Sequence, residues 1–290
     1  MKNTVRVLID IVFGYFLLIP NFIIFYLHQD FLLAASLALF IWNALVFHYL
    51  TLFIHAGAHY EFDRGNKSRN DLLSNIFIGY PFLLSVEAYR RKHFLHHKNL
   101  GSDNDPENSY KYEVNLRNFL LHFFFLVPIS KVLKSYFARE MEGAKLLGEP
   151  THKSFFYAIF IFGGIHAALL FIYGSYGRLQ EYFLTIFIPL FMMLPVLGWI
   201  RTCAEHRGYC HKLDKDAVCR NFRNDFLGFF LGAAGFRNHA LHHASPGTEY
   251  FKLQMLSNQD VEIKLVRDSY LIVILRLIFS GNSIPALSKD

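Results

Sequence analysis

Four stretches of this chain are long and apolar enough to cross about 30 Å of hydrocarbon. They are Val7–Leu27, Phe31–Ile54, Phe155–Tyr173 and Tyr182–Ile200. Inside a bilayer each segment must satisfy its own backbone hydrogen bonds, so these runs are expected to be helices. His28, Gln29 and Asp30 alone separate the first two, and a short loop around Gly174 and Gly177 separates the last two. Such tight connections predict two helical hairpins. Pro20, Pro189 and Pro195 are expected to kink the helices that hold them. The first run follows Lys2 and Arg6, as the core of a signal peptide would. It is too long for one, lacks a small-residue cleavage site and leads straight into a second span, so it is read as a retained helix.

Charge orients the hairpins. Of 29 Lys and Arg, 28 fall in the N-terminus, in 55–153 or in 201–290, and only Arg178 sits at a hairpin tip. The three basic regions therefore share one side, and their charge makes that side cytoplasmic. The net charge of +6 is accordingly assigned to the membrane and not to nucleic acid. The shorter apolar stretches are Leu72–Val86, Leu116–Leu133, Phe226–Phe236 and Leu265–Phe279. They are expected to lie in the interface or to pack beneath the spans. Asn99–Pro106 and Ser245–Thr248 read as loops. Cys203, Cys210 and Cys219, odd in number and close together, read as reduced thiols. The expected architecture is a single domain over 1–290, an all-α integral membrane protein. Its four transmembrane helices form two hairpins beneath a cytosolic helical cap.

Histidine, at 15 residues, is the unusual count. Three clusters stand out: His55-Ala-Gly-Ala-His59, His93-Phe-Leu-His96-His97 and His239-Ala-Leu-His242-His243. Spacings of three and four place side chains on one helix face, where imidazoles can converge on an ion. Two His-x-x-His-His triplets by accident have a chance below roughly one in a thousand. All three clusters fall on the side that charge makes cytoplasmic. His206 follows the fourth span as the first cluster follows the second, so it enters from the equivalent end of the other hairpin. The candidate ligands are therefore His55, His59, His93, His96, His97, His206, His239, His242 and His243. Nitrogen donors at this density suit iron, copper or zinc and not calcium or magnesium. Two irons with four or five ligands each would use nearly all nine and leave a position for dioxygen.

At this point the chain resembles the membrane fatty-acid desaturase and hydroxylase superfamily, which includes alkane hydroxylases and carotenoid ketolases. The likeness covers the second span to residue 253. HAGAH, HFLHH and HALHH match its three histidine boxes in order and spacing. KNLGSDNDPE resembles the loop after its second box, and Asn238–Pro246 with Tyr250–Leu253 its third-box tail. Glu205-His206 is similar to its extra ligand site. The resemblance implies two irons held by His, with dioxygen and two electrons used to attack an unactivated C–H bond. Where some acyl-CoA desaturases carry Asn four residues before the extra His, this chain has Thr202, which leans toward a bacterial-type or lipid-acting member.

Neutral imidazoles leave such a site strongly positive, so carboxylates are expected to fix the ring tautomers. Glu205, Asp105, Asp71 and Asp225 are the candidates, with Asn238 beside them; the plain reading of each acid is a surface charge or a helix cap. Gly57, Gly228, Gly232 and Gly235 are expected to serve packing. The substrate is expected to be a lipid or fatty-acyl chain entering from the bilayer along the Phe residues of the spans. Electrons are expected from a separate ferredoxin-like or haem cytochrome-like protein, for which Arg90, Arg91, Lys92 and Lys98 offer a basic surface; lipid headgroups are the plain alternative. His48 and His166 read as hydrogen-bonded helix contacts, and His122 and His152 as interfacial. His28 lies on the far side. His211 with Cys203 and Cys210 lacks the paired-cysteine spacing of a zinc site.

The expected activity is desaturation of an apolar chain, with hydroxylation or ketolation as the alternative within the same chemistry. A zinc-dependent membrane hydrolase would want a His-Glu-x-x-His general base, which His55-Ala56 lacks. A metal transporter would want its ligands within the spans. With no targeting or retention signal visible, a bacterial inner membrane is the expected location, and the endoplasmic reticulum the alternative.

Overall fold

The long apolar runs leave the backbone no solvent partner, and they fold into helices whose bonds close internally. The computed structural model describes residues 2–27, 33–102, 104–107, 110, 114–123, 152–207, 219–256 and 267–280. In chain order its helices are α1 (Lys2–Phe16), α2 (Ile19–Leu27), α3 (Leu33–Ala58), α4 (Lys67–Ser74), α5 (Val86–Asn99) and α6 (Leu116–Phe123). They continue with α7 (His152–Ser175), α8 (Leu179–His206), α9 (Phe226–Leu231), α10 (His239–Ala244) and α11 (Tyr270–Ser280). Strand content among the described residues is one short parallel pair, Asn221–Phe222 with Arg267–Asp268. The protein is thus mostly helical, and among the described residues four helices are long and apolar enough to cross a membrane: Thr4–Tyr26, Ala34–Ala58, Ser154–Ser175 and Leu179–His206. His28, Cys210 and His211 lie outside the described residues, as does the stretch 124–133; so do the side chains of His122 and His152.

Two compact units share the chain. The first draws on Met1–Arg91 and Ile129–Pro195, the second on Lys92–Pro128 and Val196–Asp290. The chain passes from one to the other within α5, after Arg91, and within α8, after Pro195.

In the first unit Pro20 and Pro189 each interrupt the regular α-helical winding around them. Pro20 has no N–H, and the helix breaks just before it, at Leu17–Leu18. The Leu17 carbonyl, freed by the break, accepts from the Trp42 indole at 2.6 Å, while the Asn21 amide turns to Leu18 at 3.0 Å. Pro189 instead opens a π-helical turn, Pro189–Met193, which follows another at Phe183–Phe187. There Asn43 donates to the Thr185 carbonyl at 2.6 Å and exchanges amide bonds with Asn21 at 2.9 and 2.7 Å. Buried polar groups in a membrane domain need such partners. Phe160 and Phe171 of α7 are 80% and 78% exposed, an apolar surface suited to lipid. Leu72–Val86 forms no straight helix: its helical run, Lys67–Phe82, meets α5 at a bend of 95°. Leu83, in the left-handed region at φ 57°, makes that corner.

The core of the second unit gathers Tyr110, Val114, Cys203, Ala204, Phe222, Leu231, Tyr270, Val273 and Leu277. The rings of Phe222 and Tyr270 stack at 3.6 Å. This core fixes the end of α8 against α11 and so places the residues that follow Cys203.

Candidate metal centre

Seven imidazoles converge in the second unit. His93 and His97 lie one turn apart on α5 and meet His242 of α10. The His97 Nε2 is 2.9 Å from that of His93 and 3.0 Å from that of His242. His239 and His243, one turn apart on α10, meet His96 of α5 and His206 at the end of α8. The His239 Nε2 is 2.9 Å from that of His206 and 3.2 Å from that of His243. One nitrogen from each of these four lies within 4.8 Å of the others.

The two gatherings do not correspond to the two sequence clusters. Each cluster gives its i,i+4 pair to one gathering and its remaining histidine, at i+3, to the other. Residues four apart stack on one helix face, whereas the i+3 ring is turned by about 100° from the i+4 ring. The rings of His97 and His243 are 4.4 Å apart, so the two gatherings abut.

In the first unit, His55 lies in the last turn of α3 and His59 just past its end, with rings 4.8 Å apart. A Cβ on Gly57, between them, would lie 2.5 Å from the Ser74 hydroxyl and 2.9 Å from Val86, so only glycine permits this close packing.

The second gathering fits a metal on its donor chemistry. Burial, and then the neighbouring imidazoles, push the pKa values of His239 and His243 well below that of free histidine. Both rings are therefore neutral and offer lone pairs. His96 donates from Nδ1 to both Asp105 oxygens at 2.9 and 3.0 Å, which turns its Nε2 away from the carboxylate. Burial alone would raise the Asp105 carboxyl. The bonds from His96, from the Tyr110 hydroxyl at 2.6 Å and from the Glu107 amide at 2.9 Å outweigh it, and the pKa is lowered.

The other candidate carboxylates fall in different places. Glu205 is buried, with one oxygen 3.7 Å from the His239 Nε2. It accepts from Arg201 at 2.8 Å and from the Tyr270 hydroxyl at 2.9 Å. Asp71 binds Arg90 and accepts from Asn70 at 2.8 Å; its bonds reach the backbone of the first cluster and not an imidazole. Asp225 caps α9 through the Gly228 amide at 2.7 Å and accepts from Ser269 at 2.9 Å. Asn238 is buried just before His239, and its Oδ1 has no hydrogen-bond partner among the described residues.

Several groups around the histidines had no signal in the sequence. The Cys219 sulfur lies 3.4 Å from His206 Nδ1. Glu107 lies 3.8 Å from His93 Nδ1. Arg201 reaches Glu205 from one turn earlier on the same helix, Tyr110 reaches Asp105 from five residues on, and the tertiary fold brings Tyr270 to Glu205. The Thr202 hydroxyl turns back to the Gly198 carbonyl of its own helix at 2.9 Å. His166 donates or accepts at Tyr182 across 2.8 Å, a satisfied contact within α7 and α8.

A model of the fatty acid desaturase family matches residues 5–268. The chain belongs to the fatty acid desaturase family. Comparison with curated proteins gave no match. Membership makes this an oxygen-dependent oxidoreductase of lipid chains in a membrane, and the histidine gatherings fit a metal site within it. In this desaturase-family chain, Asp225→Ala should cost about 1 kcal/mol of stability, the usual worth of a lost helix cap. Metal content should not change. A fall in bound metal at unchanged thermal midpoint would return Asp225 to the metal site.

Proposed function

We propose that the protein is a di-iron enzyme that uses dioxygen to introduce a double bond into a fatty-acyl or lipid chain. The observation that carries this reading is the convergence of seven imidazoles into two abutting gatherings. On this reading His93, His97 and His242 belong to one iron and His96, His206, His239 and His243 to the other, with His55 and His59 as further ligands. Nitrogen donors at this density suit iron, and nine of them are more than one four-coordinate zinc would use.

Bound iron would supply the activation of dioxygen needed to take hydrogen from an unactivated carbon. The chain's own residues do the rest. Asp105 keeps the proton of His96 on Nδ1. Arg201 and Tyr270 hold the Glu205 carboxylate beside His239, where its charge offsets part of the positive charge of the site. The substrate approaches from the bilayer, along the apolar helices. Two hairpins and a cytosolic helical cap that carries the histidine boxes fit the placement of the basic residues, and a bacterial inner membrane is the preferred location, with the endoplasmic reticulum the alternative. Electrons come from a separate ferredoxin-like or haem cytochrome-like protein.

The test is to purify the protein, count its metals and supply an acyl lipid, a reductant and isotopically labelled dioxygen. Two irons per chain and an unsaturated product free of label are expected. A labelled hydroxyl without a double bond would replace desaturation by hydroxylation. Zinc alone in freshly made, active protein would overturn the iron reading.

A further inference from the structure

We infer that Arg90 is a positioning residue for the first histidine cluster, acting through the backbone of α3. The inference rests on the proposal that His55 and His59 hold metal. The last carbonyls of a helix have no partner within it. In α3 those carbonyls lie between the two histidines. Arg90 donates from Nε to the Ala58 carbonyl at 2.9 Å and from Nη2 to the Gly57 carbonyl at 3.0 Å. Its other face is held by Asp71, through Nη1 at 3.0 Å and through a close contact from Nη2. The guanidinium also lies over the Tyr60 ring, 4.0 Å from its centre.

Asn70, fully buried, reinforces the same turn. Its amide nitrogen is a second side-chain donor to the Gly57 carbonyl at 2.9 Å, beside the Tyr60 amide at 3.1 Å, and its oxygen accepts from the Phe62 amide at 3.1 Å. The side chain of Arg90 is only 11% exposed, so this is not one of the solvated charges of a docking surface. A cation at a helix C-terminus also opposes the helix dipole.

The geometry needs a fork. Two carbonyls and a carboxylate are met at once by the planar guanidinium, which a lysine ammonium cannot reproduce. The clamp matters because a slip of α3 by one residue would swing an imidazole by about 100°. A Cβ at Gly57 would already collide with Ser74, so the turn has little room to readjust. Asp71 thereby gains a use: it orients Arg90 and does not touch a ligand.

The experiment uses the full chain, with Arg90→Lys, Arg90→Ala and His55→Ala beside the parent. Metal per chain, the Mössbauer signature of a coupled pair and the thermal midpoint are read together. Arg90→Lys and Arg90→Ala should fall from two metals per chain toward one and lose the coupled signature. Millimolar guanidinium should restore both in Arg90→Ala, and methylammonium should not. Two retained metals in Arg90→Lys, or no rescue of Arg90→Ala by guanidinium, would overturn the inference. His55→Ala separates the two ideas. If it keeps both metals, the assignment of the first cluster as ligands fails. If it loses one while Arg90→Lys keeps both, only the role of Arg90 fails.

Discussion

Replacing His239 by alanine should leave at most one metal per chain and lower turnover by more than about 100-fold. Changing a group that merely supports a metal ligand costs about 10–100-fold, and His239 is placed to be a ligand itself. Its Nε2 meets those of His206 and His243 at 2.9 and 3.2 Å, so it stands in the middle of its gathering. It is also buried, against the Phe236 ring and the imidazoles of His206 and His243, and alanine leaves a hole there. Water entering that hole would supply an oxygen donor without the orientation of the ring. The contrast is His166, a buried histidine whose partner is the Tyr182 hydroxyl. His166→Phe should cost about 1–3 kcal/mol, by leaving that hydroxyl unpaired. It should keep both metals. Metal analysis and oxygen uptake on the two variants check the pair. Two metals in His239→Ala would remove His239 from the ligand set.

The difference between these two histidines was visible in the sequence, and the reason is physical. His239 sits in a triplet whose spacing is fixed by the helix, and a helix presents the same faces wherever it packs. The four spans were legible for the same reason, since length and hydropathy are local. So was the break near Pro20, because a missing N–H acts within one turn. What was not legible depends on which elements meet. Nothing in HFLHH says that His96 parts from His93 and His97. That division follows from how α5 and α10 face each other. Tyr270 lies 65 residues along the chain from the Glu205 it touches, and Tyr110 is also remote from the His206 ring it meets. Asp71 and Asp225 looked equivalent to Asp105 as acids near histidine clusters, yet packing turned one to Arg90 and the other to a helix end. Pro189 shows a local rule at work, with π-helical winding after it and an Asn43 amide on the Thr185 carbonyl four residues before it.

Asp105→Asn should weaken the metal of the second gathering by about 10–100-fold, the range for a lost carboxylate partner of a ligating histidine. Asparagine has nearly the same shape, so packing around residue 105 should survive. The acceptor count does not. Asp105 takes three donors: His96 Nδ1–H, the Tyr110 hydroxyl and the Glu107 amide. An asparagine offers one acceptor oxygen and must turn its own N–H groups toward at least one of these donors. If the amide nitrogen faces His96, the imidazole can meet it only by moving its proton to Nε2, the atom a metal needs bare. If the oxygen faces His96, the tautomer holds, but without the negative charge that makes the ring a stronger donor to metal. Tyr110→Phe removes only one neutral donor from the same carboxylate and should cost about fivefold, near 1 kcal/mol. Competition with a chelator of known affinity measures both. Equal affinities in parent and Asp105→Asn would mean that His96 is oriented by packing alone, and the order of the two variants separates charge from a single lost hydrogen bond.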